Sequence, residues 1–204
     1  RTPDVIRRHL ADYYGMISHL DEQIGRILTA LDETGHAGDT PVIFASDNGL
    51  AIGSHGLMGK QNLYEHSQRV PLIVAGPGIA RGESRALVYL YDLFPTVCNL
   101  AGVTVPEGVE GKSLVPVLRG RQDQVRDFLV GAYREFQRSI REPRWKLIEC
   151  RVEGRRSTQL FDLESDPCEL NNLADNPNSQ QHRQRLEGLL KQSLLDACDP
   201  VRFW

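Results

Sequence analysis

Pro41-Val42-Ile43-Phe44-Ala45-Ser46-Asp47-Asn48-Gly49 is a short unbroken apolar run that stops on three polar residues and a glycine. Such a run predicts a strand buried on both faces, the kind found in the parallel sheet of an α/β protein. Its carboxyl end is where an open α/β sheet places ligands, which makes Asp47 and Asn48 the first candidate site residues. A carboxylate beside an amide carbonyl offers two hard oxygen donors, suited to Ca²⁺ or Mg²⁺ and poorly suited to softer metals. On spacing alone, a plain Asp-Asn-Gly turn is the weightier reading, because those residue types form turns readily.

Upstream, the apolar positions Leu10, Tyr13, Tyr14, Ile17, Leu20, Ile24, Ile27, Leu28 and Leu31 recur at helical spacing. They predict a helix of about six turns with one buried face, ended by Gly35 and Gly38. Downstream, a glycine-rich loop from Gly49 to Gly59 leads through Lys60 to a second apolar run, Val70 to Ala75, closed by Gly76-Pro77-Gly78. Two or three parallel-type strands are too few for a sheet with both faces covered, so either a further amino-terminal segment completes it or the chain alone adopts a reduced sheet with an exposed edge. Asp92 reads as the N-cap of a helix through Leu93, Val97 and Leu100, stopped by Gly102. After the punctuation of Pro106, Gly108, Gly111 and Pro116, the runs Phe128–Tyr133, Trp145–Cys150 and Gln159–Leu163 predict a small antiparallel sheet. A last amphipathic helix carries Leu186, Leu189, Leu190 and Leu194. The expected organisation is an α/β portion over 1–120 and a smaller α+β unit over 121–204.

The 204 residues carry a formal net charge of −3, without the basic footprint that a nucleic-acid binder needs. The pairs Arg7-Arg8 and Arg155-Arg156 read as solvated faces. No run approaches the roughly 18 apolar residues of a membrane span. Cys98, Cys150, Cys168 and Cys198 are widely spaced, with no C-x-x-C pair to suggest zinc or redox chemistry. The compartment stays open. Lys60, across a loop rich in glycine, can bring a cation toward the same strand end and hold an anionic group there. His55, in Gly53-Ser54-His55-Gly56, can donate a hydrogen bond or act as an acid. Each of these, taken singly, is more often surface decoration.

The ordered series is more specific than its parts. Ser46-Asp47-Asn48-Gly49, Gly53-Ser54-His55-Gly56-Leu57-Met58-Gly59-Lys60 and Tyr64-Glu65-His66-Ser67-Gln68-Arg69-Val70-Pro71-Leu72 follow one another closely. Asp92-Leu93-Phe94-Pro95-Thr96, Glu110-Gly111-Lys112-Ser113-Leu114 and Leu160-Phe161-Asp162-Leu163 through Asp166-Pro167, Glu169 and Asn172-Leu173 come later in the same order. The series resembles the sulfatases of the alkaline phosphatase superfamily over most of the chain. The resemblance implies part of an alkaline-phosphatase-like, mainly parallel sheet with flanking helices, followed by a small antiparallel sheet packed with a C-terminal helix. It implies that Asp47 and Asn48 bind a divalent cation, usually Ca²⁺, with Mg²⁺ the alternative, and that Lys60 contacts the sulfate as the ester oxygen departs. His55 joins the catalytic candidates, although its loop varies among family members. Glu65, Arg69 and Asp92 match positions read as structural. The implied substrate is a sulfate ester of a carbohydrate, aryl or alkyl alcohol, and many relatives are exported, periplasmic or lysosomal.

In that family the nucleophile is a formylglycine made from Cys or Ser in a C-x-P-S-R type motif, in the amino-terminal third together with further metal and sulfate ligands. No such context precedes Asp47. The expectation is that a nucleophile-bearing amino-terminal half lies outside this chain, and that the chain alone is inactive. Cys198-Asp199-Pro200-Val201-Arg202 spells C-x-P-x-R, but only Phe203 and Trp204 follow, leaving no helix amino terminus to present a nucleophile. Two other readings stay open. One is a phosphate or phosphonate monoester hydrolase of the same superfamily, against which Asn48 weighs, since those relatives more often resemble Asp-His. The other is a noncatalytic remnant or a binding or assembly module.

Overall fold

The computed structural model describes residues 2–201. Helix α1 (Pro3–Glu33) begins with proline at its first turn, where a missing N–H costs nothing, and so starts earlier than the apolar periodicity alone indicates. It ends before Gly35, which takes a positive φ of 75°. The expected buried face is not buried within this chain. No residue of α1 is buried, and Tyr14, Met16, Ile17, Leu20, Ile27 and Leu28 are exposed. Periodicity reports which face prefers to leave water, and it carries no information about what covers that face.

Strands β1 (Val42–Ala45) and β2 (Leu72–Ala75) form a two-stranded sheet with Val42 opposite Ala75 and Ala45 opposite Leu72. They run antiparallel. The reading of two parallel strands is therefore corrected for this pair, because an apolar run marks burial and leaves strand direction to the connecting segment. Full burial is corrected too: β1 is half-buried throughout, and Ile73 on β2 is 61% exposed. Between the strands lies a short helix, α2 (Glu65–Gln68).

Helix α3 (Leu93–Leu100) follows a tight turn at Leu90–Asp92, and Gly102 stops it with φ 69°. Asp92 occupies the expected N-cap position of α3, but its side chain makes no capping hydrogen bond to that helix. Its buried carboxylate accepts from the backbone N–H of Tyr89 at 2.7 Å and of Lys112 at 2.8 Å, and it is gripped by both terminal nitrogens of Arg126. Burial alone would push this carboxyl up, but the Arg126 hydrogen bonds and the two backbone donors together hold it below the ordinary aspartate value. After the short helix α4 (Val115–Leu118) come four strands, β3 (Leu129–Tyr133), β4 (Gln137–Arg141), β5 (Trp145–Val152) and β6 (Arg155–Asp162), paired in sequence order and all antiparallel.

The sequence reading missed β4, because Gln-Arg-Ser-Ile-Arg looks polar and shows a single large apolar residue. It also placed β6 late. The two-residue turn Glu153-Gly154, both at positive φ, joins β5 and β6 in the hairpin geometry that matches strand twist. On this hairpin Arg156 is not merely solvated: its Nε donates to the fully buried Glu149 carboxylate at 2.7 Å.

Helix α5 (Gln180–Asp196) covers one face of the four-stranded sheet, where Leu186 and Leu190 pack against Ile140, Leu147 and Leu160 with Leu189 and Leu194 alongside. The opposite face carries Ile148 and Phe161, and there Leu63 packs, from the segment leading out of the Lys60 loop. Side chains alternate along β5, so Leu147 serves the helix and its neighbours Lys146 and Ile148 serve the loop. The loop of the first portion thus rests on the sheet of the second.

Candidate active site

The site starts at the end of β1. Ser46 Oγ donates to the carbonyl of Asn48 at 2.9 Å, and Asn48 Nδ2 donates to the carbonyl of Gly49 at 3.2 Å. The amide group of Asn48 is thereby turned with its nitrogen toward its own backbone and its oxygen outward. Gly49 must be glycine: its N–H donates to Ser67 O at 3.0 Å, and a Cβ there would lie 2.0 Å from the carbonyl oxygen of His66.

From Gly49 the chain makes a closed loop. Ala51 N–H donates to Gly59 O at 3.2 Å and Gly53 N–H to Leu57 O at 2.7 Å, with Gly53 at φ 103°. Closing the loop brings Lys60 back to its start, and Lys60 Nζ donates to Asn48 Oδ1 at 2.6 Å. Asp47 is exposed beside it and makes no hydrogen bond or ion pair among the described residues. Asn48 and Lys60 therefore meet at the end of β1, with Asp47 the adjoining residue of the chain.

His55 goes elsewhere. Its ring stacks on Tyr64 with centroids 3.9 Å apart, and its Nε2 lies 3.0 Å from the carbonyl oxygen of Cys168, 113 residues along the chain. His66 lies near both rings, at 5.6 Å from His55 and 5.7 Å from Tyr64. Its Nε2 is buried without a partner, and burial, then the nearby His55 and Lys146, push its pKa below the ordinary histidine value.

Beneath these rings lies a buried ionic cluster that the sequence reading did not find. Lys146, 1% exposed, reaches Glu65 Oε1 at 2.9 Å and Glu169 Oε1 at 2.8 Å. The second contact is off the hydrogen-bonding direction, so it is an ion pair only. Glu169 Oε2 accepts the backbone N–H of Glu65 at 2.6 Å, and Arg141 lies 3.5 Å from Glu65 Oε2. The two carboxylates respond differently to one lysine. Burial pushes Glu169 up and Lys146 does not fully offset it, whereas for Glu65 the same burial is outweighed by Lys146, Arg141 and Arg69. Glu65, expected to be structural, spends its carboxylate on Lys146 and Arg141, and Glu169 shares the same lysine. Lys146 left a trace in the sequence as a lysine flanked by Trp145 and Leu147 in a strand buried on both faces.

The oxygen donors Asp47 and Asn48 suit a hard cation in type. In number they fall short of the roughly six to eight ligands that Ca²⁺ takes, and among the described residues no group of three or more His, Cys, Asp or Glu could hold a metal. No helix among the described residues is long and apolar enough to cross a membrane. Cys198 follows the carboxyl end of α5 in a left-handed conformation, φ 52°, and Asp199 next to it is spent on a two-pronged pair with the buried Arg138. Arg202 of the C-x-P-x-R string lies outside the described residues.

The family model described as Sulfatase matches residues 1–103, and the one described as N-sulphoglucosamine sulphohydrolase, C-terminal, matches residues 53–196. The chain belongs to the sulfatase family. Choline-sulfatase of Rhizobium meliloti (strain 1021) is 39% identical to this sulfatase chain over 182 residues, which are 86% of the chain and 35% of that protein. A solved structure of a protein in complex with its substrate D-glucosamine-2-N,6-O-disulfate superposes with a TM-score of 0.88 at 29% identity, over 96% of this chain and 42% of that one. The phosphonate monoester hydrolase of Agrobacterium radiobacter superposes with a TM-score of 0.74 at 30% identity, over 88% of this chain and 40% of that one. The sulfatase chain thus spans less than half the length of these relatives. It shares their α/β fold, in which the antiparallel four-stranded sheet and carboxyl-terminal helix form the second portion.

Proposed function

We propose that this chain supplies part of the site of a sulfuric ester hydrolase. Asp47 and Asn48 are the oxygen ligands for a divalent cation, Ca²⁺ or Mg²⁺, and Lys60 is a sulfate contact. The observation that carries this reading is the 2.6 Å approach of Lys60 Nζ to Asn48 Oδ1, beside a carboxylate with no partner. In this reading the ammonium attracts the sulfate directly, and the oxygen pair attracts it through the cation that it holds. A bound cation would supply positive charge for the sulfate oxygens. Lys60 orients the same group by a charge-assisted hydrogen bond and balances charge as the ester oxygen leaves. His55 keeps a secondary place, since its Nε2 is engaged by Cys168 O.

The substrate class is a sulfate ester, with sulfated carbohydrate favoured by the substrate complex of the structural relative. A phosphonate or phosphate monoester is the second reading, favoured by the likeness to the phosphonate monoester hydrolase. The nucleophile is expected as a formylglycine on a segment other than this chain. The test compares rates on an aryl sulfate and an aryl phosphate for this chain joined to a formylglycine-bearing segment, with Asp47→Ala and Lys60→Ala variants. Sulfate turnover should dominate and fall at least tenfold in each variant. Preference for the phosphate would favour the second reading. The 204-residue chain alone should show negligible turnover, and robust Ca²⁺-dependent hydrolysis by it, lost in Asp47→Ala, would overturn the division of labour. No turnover by the joined polypeptide, with its aldehyde verified by mass, would point to a noncatalytic module.

A further inference from the structure

We propose that Lys146 is a positioning residue: from the antiparallel sheet, and through the carboxylates of Glu65 and Glu169, it sets the ring of His55 against the carbonyl of Cys168. The assignment of His55 to a sulfate site rests on the function proposed above, but the clamp itself is a property of this chain. Three features carry it. First, Lys146 lies on the face of β5 that meets the site loop, and it joins Glu65 of α2 to Glu169, two elements 104 residues apart in sequence.

Second, Glu169 and Cys168 are neighbours in one tight turn. Asp166 accepts the N–H groups of Leu170 at 3.1 Å and Asn171 at 2.8 Å, and Glu169 sits in the left-handed region at φ 57°. A turn so pinned moves as a unit, so fixing the Glu169 carboxylate fixes the Cys168 carbonyl one residue away. Third, a backbone carbonyl can only accept. The 3.0 Å contact therefore requires the proton on His55 Nε2 and leaves Nδ1 as the ring atom able to take a proton or a hydrogen bond.

The cluster is balanced only as a set: Lys146 and Arg141 against Glu65 and Glu169. With Lys146 removed, two carboxylates that shared one ammonium face each other in a site screened from water. The Glu65 N–H to Glu169 bond then has to loosen. Neutralising Glu169 at the same time restores the balance and keeps an oxygen to accept that N–H. A lysine that merely fills space would behave in the opposite way, because an apolar residue of similar length would replace it at little cost.

The experiment uses the whole 204-residue chain with ¹⁵N-labelled histidine and amides, and needs no substrate, so its outcome is independent of the sulfatase assignment. The imidazole ¹H–¹⁵N spectrum reads which nitrogen of His55 carries the proton, and hydrogen exchange reads the Glu65 amide. Lys146→Met should abolish the His55 Nε2–H signal and speed exchange at Glu65 by about tenfold or more, while β5 and β6 amides keep their protection. Lys146→Met combined with Glu169→Gln should restore both. Unchanged His55 and Glu65 signals in Lys146→Met overturn the proposal, as does a double variant that is folded but not restored. If Lys146→Met alone fails to fold, a folded double variant with the His55 signal supports the proposal. Failure of both to fold makes Lys146 a core residue and ends the positioning role.

Discussion

Lys60→Met should strengthen Ca²⁺ binding by this chain, although Lys60 is proposed to help the chemistry. Lys60 Nζ stands 2.6 Å from Asn48 Oδ1. A calcium–oxygen bond is about 2.4 Å, so a cation on that oxygen lies no more than about 5 Å from the ammonium while Lys60 holds its place. Asp47 and Lys60 are exposed, which makes the dielectric of water the right choice. Charges of +1 and +2 at that distance repel by about 1.7 kcal/mol. A Debye length of about 10 Å at 0.1 M salt trims this to about 1 kcal/mol, or roughly a fivefold change in Kd. The assay is a titration of the Asn48 side-chain amide by NMR at fixed ionic strength, in the wild type, Lys60→Met and Asp47→Ala. Binding should be weak in the wild type, about fivefold tighter in Lys60→Met, and absent in Asp47→Ala, with the gap narrowing as salt rises. Equal or weaker binding by Lys60→Met would refute the reasoning, since it would mean that Lys60 and the cation do not share Asn48 Oδ1.

Arg126→Ala leaves the fully buried Asp92 carboxylate with only its two backbone donors, and should cost about 3 kcal/mol, lowering Tm by roughly 6–10 °C. Urea unfolding should show that Asp92→Asn combined with Arg126→Met recovers much of that loss, and a cost under about 1 kcal/mol for Arg126→Ala would contradict the pairing. Because the folded-state pKa of Asp92 is depressed, its stabilisation is present above the unfolded value near pH 4 and is lost as pH falls through the lower folded value. Asp92→Asn should flatten the stability profile below about pH 4, and an unaltered acid limb would argue against it. Ile27→Ala on the exposed face of α1 should change stability by less than about 0.5 kcal/mol, whereas Leu186→Ala or Leu190→Ala should cost about 2–5 kcal/mol. Comparable losses at Ile27 and Leu186 would show that α1 is packed in this chain.

The end of β1 is legible in the sequence because its parts are local. Ser46-Asp47-Asn48-Gly49 follows an apolar run, and a strand end that stops on polar residues is written in four consecutive residues. Lys60 could be placed near it only as an expectation, since the glycines of the loop permit many closures. The backbone bonds of Ala51 to Gly59 and Gly53 to Leu57 select one of them. His55 was grouped with Lys60 because they share a loop, yet the fold sends the two side chains to different partners.

The sequence by itself determined the elements whose partners are close in the chain. These are the α1 helix and the leucine stripe of α5, read from a period of 3.6, and the end of β1, read from an unbroken apolar run that stops on polar residues. The folded chain alone sets that β1 and β2 run antiparallel, that no residue of α1 is buried among the described residues, and that Lys146 joins Glu65 to Glu169. The physical reason is common to all three. Periodicity records how strongly a face avoids water, whereas strand direction, coverage and the pairing of buried charges depend on groups up to 113 residues apart, brought together only when the chain closes.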